Sequence, residues 1–154
     1  MKQYENKLKQ YLEQTTNDAE HLSFDQSCHS VTQAAEAVGG NPDDLVKNIC
    51  MIDSNQNMIV AIVKGDHRAS TSRVAKALKI DRPRTATPEE ILECTGFPCG
   101  GTPSFGFSAR FLVDPKVLDK KVVYTGGGSE TSLVRISSES LLDLNQGKVV
   151  RVRK

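Results

Sequence analysis

Two neighbouring apolar runs, Ile49 to Ile52 and Met58 to Val63, restrict the fold of this chain more than any other stretch. Both are too short for an ordinary helix and are rich in β-branched residues, which favour extended backbone. The segment between them, Asp53-Ser54-Asn55-Gln56-Asn57, carries side chains that close turns by bonding to their own backbone. Adjacent strands over 49–52 and 58–63, joined as a hairpin, are therefore predicted. Residues 22–28 are also read as a strand, as are the short runs RFLVD, KVVYT, SLVRI and KVVRVR.

Helical signals alternate with these strands. Tyr4, Leu8, Tyr11 and Leu12 recur at helical spacing among Lys, Gln and Glu, predicting an amphipathic outer helix within residues 1–20. Ser30 followed by Gln33 forms a capping-box pattern before TQAAEAV, and Gly39-Gly40 ends that helix. Pro42 opens a second short helix before the strand at 49. Another is expected from Ser72 to Lys79, with Val74, Ala75 and Leu78 inward. Thr87, Pro88 and Glu90 supply cap, first-turn proline and capping-box acid for EEILECT, and a last helix falls near Glu139 to Leu144. About seven short strands with outer helices predict an α+β domain spanning 1–154, built on a curved, mixed, mainly antiparallel sheet or a partly closed barrel.

Composition limits the function classes. With 20 basic against 19 acidic residues the net charge is +1, so nothing like a histone or an acidic tail is present, although nucleic-acid binding through a local patch stays open. Residues 64–84 form such a patch, carrying seven Lys or Arg against two Asp. It suits phosphate binding or, equally, a solvated helix face. No window reaches the length of an apolar membrane span, and the start lacks the apolar core of a signal peptide, so a cytoplasmic protein is expected. Cys28, Cys50, Cys94 and Cys99 make no CxxC pair, and the three histidines add no zinc-type spacing. Free thiols, no metal and no cofactor are the expectation.

Three places could carry chemistry. Lys47 lies where a short helix meets the first apolar strand, and can bring an ammonium to the sheet edge while its stem packs on apolar surface. A plain surface lysine fits the same position. The segment 96–106, GFPCGGTPSFG, holds four glycines and two prolines and must be one shaped loop. Its amides could converge on an anion or a carbonyl oxygen, or it could be a structural turn. Gly126-Gly127-Gly128-Ser129-Glu130 lies between two strands and has more glycine than a two-residue hairpin turn needs, which allows a second close wall for a ligand. No GxSxG or HExxH motif occurs, so a mechanism without a protein nucleophile is the economical one.

The ordered pieces GG-x-x-x-x-LVKN at 39–48, KGDHR at 64–68, TGFPCGGTP at 95–103, KVVYTGGGSE at 121–130 and VRISSESLLDL at 134–144 resemble the YbaK and prolyl-tRNA-synthetase-associated family of aminoacyl-tRNA deacylases. The resemblance covers about residues 20–152. It implies a YbaK-like fold and hydrolysis, in trans, of the ester of a mischarged tRNA, with a small amino acid such as alanine or cysteine on tRNA-Pro. It also implies that Lys47, Gly100 and Gly101 are the catalytic positions, with Asn48, Thr102, Ser104, Gly127 and Ser129 binding substrate. Lys64, Arg68 and Arg73, from the basic patch, are the expected tRNA contacts, and an aminoacyl-tRNA synthetase is a conceivable partner. Two features depart from the family pattern: the proline of its G-x-x-x-P loop sits one place early, at Pro103 with Ser104 following, and Phe97 replaces a common tyrosine. A non-catalytic aminoacyl-tRNA or synthetase-binding module, or a hydrolase of another small ester or nucleotide, remain as alternatives.

Overall fold

A computed structural model describes residues 2–154. In chain order the elements are α1 (Lys2–Thr15), β1 (Ala19–Ser23), α2 (Val31–Val38), β2 (Val46–Ile52), β3 (Met58–Lys64), α3 (Thr71–Leu78), β4 (Arg84–Thr85), α4 (Pro88–Thr95), β5 (Arg110–Val113), β6 (Val122–Gly126), β7 (Ser132–Ser137), α5 (Ser138–Asn145) and β8 (Lys148–Val149). Short 3₁₀ turns cover Pro42–Asp44 and Pro115–Asp119. The expected hairpin forms as β2 and β3, with Cys50 opposite Val60. Both expected capping boxes form: Ser30 with Gln33 opens α2, and Thr87 with Glu90 opens α4.

The strands form a three-stranded sheet, β1-β7-β6, and a five-stranded sheet, β4-β2-β3-β5-β8. Pairing is antiparallel except at β3-β5 and β5-β8. The α+β class and the mixed, mainly antiparallel character follow from this, but the partly closed barrel does not. The edge strands β4 and β8 have two residues each, and among the described residues one isolated backbone bridge, Leu45 to Tyr124, links the two sheets without closing them. Strand boundaries also differ from expectation. The first strand occupies 19–23 rather than 22–28, because its partners on β7 end with Ser132 opposite Ser23 and the polar stretch beyond has no ladder to join. β2 begins at Val46 rather than 49, since the three additional residues find partners at Ile62, Val63 and Lys64.

Strand β3 explains why its sequence shows no polar alternation. Val60 and Ile62 face the main core with Leu8, Phe105 and Ile136, while Ile59, Ala61 and Val63 face a second cluster with Val74 and Leu112. A strand buried on both faces reads as a continuous apolar run. Helix α1 covers the main core with Leu8 and Leu12, both buried.

Asp114, at the end of β5, is fully buried and fastens the C-terminal tail. Its Oδ1 accepts from the amides of Val152 (2.9 Å) and Arg153 (3.1 Å), and Oδ2 accepts from Arg153 Nη1 at 2.9 Å. Burial alone would push this carboxyl up, yet the amides of Val152, Lys116 and Arg153 and the Arg153 side chain hold it below its ordinary value. A depressed carboxyl stabilises the fold above its unfolded value, near ~4, and that stabilisation is lost as pH falls through the folded value. Asp114→Asn is expected to lower unfolding stability at pH 7 by about 3 kcal/mol, the scale of breaking a buried charge pair. Denaturant melts at pH 7 and pH 3 check this: the difference between variant and wild type should shrink at the lower pH.

Candidate active site

A cleft of about 370 Å³ opens between β2, β6, the start of α2 and the glycine loop. Lys47, Asn48, Gly100 and Thr102 line it, together with His29, Val31, Ala34, Leu45, Tyr124, Thr125 and Leu133. Sequence positions as far apart as Cys28 and Leu133 thus meet at one place.

Lys47 occupies the second position of β2, opposite Val63, and its side chain is half-buried. Among the described residues no carboxylate lies within ion-pairing distance of its ammonium. Burial pushes its pKa below the usual lysine range, and the nearby Arg68 guanidinium adds to the depression while Asp66 opposes it. An unpaired, partly desolvated cation facing a cleft is poised for an anionic or strongly dipolar ligand.

Asn48, the next residue, faces a polar knot between the sheets. Its amide nitrogen donates to Thr102 O (3.1 Å) and to Thr125 Oγ1 (2.9 Å), and its oxygen accepts from Ser104 Oγ at 2.6 Å. Ser104 and Thr125 are themselves 2.8 Å apart, and both are buried. This closed network ties β2, β6 and the glycine loop together. Ser104 therefore lies behind the cleft, holding Asn48 and Thr125, rather than along its wall. Thr125 was missed by sequence reading. Its signal was the alternation of β6, which turns Val123 and Thr125 inward immediately before the glycine run.

The glycine loop is only partly the donor cradle that its composition suggested. Gly101 donates its amide to Pro98 O at 3.0 Å, so it does not face a ligand. Its lack of a side chain serves packing instead: a Cβ there would lie 2.5 Å from Ser129 N and 2.7 Å from Gly128 C. Gly100, with φ of 91°, holds the left-handed conformation, and the His29 ring covers the place where its Cβ would be. Among the described residues the amides of Gly100 and Thr102 donate to no protein acceptor, and both residues line the cleft. The His29 Nδ1 atom lies 3.6 Å from Glu130 Oε1, with both side chains about half exposed.

Gly127 and Ser129 stand behind the loop. Gly127 packs against the backbone of Ser132 and Leu133 and accepts from His21 Nε2 at 2.8 Å, while the Ser129 hydroxyl donates to Glu5 Oε2 at 2.8 Å. All four cysteines are free: Cys28 and Cys50 are buried, and Cys94 and Cys99 exposed. Burial, with smaller contributions from Cys99 and Cys94, pushes the Cys50 thiol up to about 12. Among the described residues no three His, Cys, Asp or Glu side chains gather to hold a metal ion, and no helix is long and apolar enough to cross a membrane.

The basic patch is less free than its sequence suggests. Lys64 lies 3.8 Å from Asp43, a carboxylate shared with Lys120, and Arg84 makes a two-pronged bond with Glu90 at 2.8 and 2.7 Å. Arg68 is exposed and close enough to Lys47 to affect its titration, and Arg73 lies in the first turn of α3.

A family model described as the aminoacyl-tRNA editing domain matches residues 25–144, a span that includes every residue of the cleft. The chain belongs to the aminoacyl-tRNA editing domain family. Among structures, it superposes on a proposed trans-editing enzyme for prolyl tRNA synthetase with a TM-score of 0.90 and 25% identity, covering 98% of this chain and 97% of the other. The hypothetical protein APE2540 gives 0.88 and 25% identity, over 96% and 99% of the two chains. In sequence, the chain is 22% identical to the uncharacterized protein YwhH of Bacillus subtilis, over 92% of this chain and 91% of the relative. It is 32% identical to the proline–tRNA ligase of Anaeromyxobacter over half of its length, a stretch that is 14% of the ligase. Such ligases are far longer than this editing domain, which corresponds to one segment of them.

Proposed function

We propose that this editing domain is a free-standing aminoacyl-tRNA deacylase that hydrolyses, in trans and in the cytoplasm, the ester of a small amino acid mischarged on tRNA-Pro. The observation that carries this reading is that the unpaired Lys47 ammonium shares one cleft with Gly100 and Thr102, whose amides have no acceptor among the described residues, and with the apolar side chains of Val31, Ala34, Leu45 and Leu133. The likeness to a proposed trans-editing enzyme and to segments of proline–tRNA ligases supports the choice of tRNA. A partner synthetase fits the same reading.

The chemistry is modest. Water attacks the ester carbonyl carbon, its proton passes to solvent, directly or relayed through the neighbouring ribose hydroxyl, and the bond from the carbonyl carbon to the ribose oxygen breaks as that oxygen gains a proton. Free amides at Gly100 and Thr102 suit the oxyanion that develops on the carbonyl. Lys47 suits the terminal phosphate or ribose, fixing the ester in place. Apolar walls limit the size of the amino-acid side chain, since a pocket discriminates well against what does not fit. The deciding experiment charges tRNA with alanine, cysteine, serine, threonine or proline and follows deacylation under single-turnover conditions. Release of one or two small residues, with proline retained, is the expected result, and release of none would reject the reading.

The exposed part of the basic patch extends the cleft toward tRNA phosphates in this reading. Arg68→Glu with Arg73→Glu is expected to weaken tRNA binding about tenfold or more at low salt and to flatten the salt dependence, because fewer counterions are released. Filter binding across a salt series checks it. Lys64→Glu should weaken binding less, since Asp43 already neutralises that lysine.

A further inference from the structure

The N-terminal helix has no residue in the cleft and lies outside the span 25–144 that the family model matches. Its contacts nevertheless run to both glycine segments behind the cleft. We infer that α1 is a strut that sets the shape of the active site, with Glu5 and Lys7 as its positioning residues. The expected effect on activity rests on the deacylase reading; the structural part does not.

Glu5 is the first sign. On an outer amphipathic helix a glutamate belongs in water, yet this one is 7% exposed. A buried carboxylate costs stability unless it is bonded, and Glu5 is bonded on both oxygens. Oε1 accepts from Ser23 at 2.9 Å, and Oε2 accepts from Ser129 at 2.8 Å. Burial tends to raise its pKa, but these two hydroxyls, with His21 and Lys9 nearby, leave a net lowering, so it is held as the carboxylate. The adjoining backbone is equally close: a Cβ on Gly128 would lie 2.9 Å from Tyr4 O. Gly128 then donates to Gly101 O at 2.8 Å, and Gly101 separates Gly100 from Thr102. Glu5 thus reaches the two free amides through one turn and one hydrogen bond.

Lys7 grips the other part of the loop. Its Nζ donates to Gly96 O at 2.9 Å and stands 4.3 Å from the centre of the Phe97 ring. Further along α1, Tyr11 stacks on Phe105 at 6.0 Å and, with Leu8, closes over Gly106. One rigid helix therefore holds the loop at 96–97, at 105–106 and, through the 128–129 turn, at its centre. Covering the core requires only Leu8 and Leu12. Glu5, turned inward toward the 128–129 turn, and Lys7, lying across the outside of the loop at 96–97, add direction, which apolar cover does not supply.

The test uses the full chain with Glu5→Gln, which keeps the shape but removes the charge, and Lys7→Met, which keeps the stem over Phe97 but removes the donor. Amide hydrogen exchange in the free protein reads Gly101 and Gly128, both hydrogen-bonded, against the β2 and β3 amides as internal reference. The expected result is exchange about tenfold faster or more at Gly101 and Gly128 with the reference amides unchanged, a local opening. Deacylation kcat should fall about tenfold or more while KM stays within about twofold, as for a misplaced transition-state contact. Unchanged exchange at both glycines in both variants would overturn the strut, as would faster exchange with wild-type kcat. If Glu5→Gln does not fold, Lys7→Met, at an exposed position, decides alone. Inactivity of the wild-type protein on every mischarged tRNA would reject the deacylase reading, and the exchange measurement would still decide the strut.

Discussion

Lys47→Ala is expected to lower kcat/KM for deacylation of a mischarged tRNA by about 10- to 1,000-fold, or about 1.4 to 4 kcal/mol of transition-state stabilisation. The ammonium has no carboxylate partner among the described residues, so its removal strands no buried counter-charge. The strand around it keeps its ladder with Val63 and the buried neighbours Val46 and Cys50. Folding should therefore change little, and relief of a partly desolvated cation could even raise the thermal midpoint slightly. Arginine should rescue in part only, since its planar fork cannot replace a compact ammonium. Single-turnover hydrolysis by wild type, Lys47→Ala and Lys47→Arg, each checked by thermal melts, gives the answer. Near-wild-type rates for the alanine variant would remove Lys47 from the mechanism.

Gly101→Ala should damage both stability and activity, for a different reason. The added methyl would meet Ser129 N at 2.5 Å and Ser129 Cα at 2.8 Å, and neither belongs to a side chain that could swing aside. The loop and the 128–129 turn must part, at about 1–3 kcal/mol for an overpacked site. That movement breaks the Gly128 to Gly101 bond and displaces Gly100 and Thr102 along the cleft wall. A displacement of about 1 Å at a reacting centre can cost about 100-fold in rate, and a loss of that order in kcat is expected. Parallel melts and single-turnover assays separate the two effects; full activity in a folded variant would show that the close approach is dispensable.

Most helix starts and the central hairpin were legible in the residues alone, whereas the limits of β1 and β2 waited on their pairing partners. Capping boxes at Ser30 and Thr87 depend on residues three positions apart, and the β2–β3 hairpin on a five-residue turn, so short-range chemistry settles them. The editing-domain family was legible for a related reason, since Lys47, the loop at 95–103 and the glycine run at 126–128 occur in a recognisable order. Four of the expected site residues, Lys47, Asn48, Gly100 and Thr102, do meet at one cleft.

What each group does there was decided by tertiary structure. Gly101 looked like an amide donor, but its N–H is taken by Pro98 O and its bare Cα by the turn at 128–129. Ser104 looked like a ligand contact, and Asn48 and Thr125 claim its hydroxyl. Lys64 counted toward a basic patch until Asp43 came to lie beside it. Glu5 belonged to a solvent face until Ser23 and Ser129 drew it inward. Two sheets in place of a barrel follow from the same cause, because edge closure depends on which strands run out of partners. A hydrogen bond or ion pair is won by whichever group the folded chain brings nearest, and for groups far apart in sequence only the packed core fixes that distance.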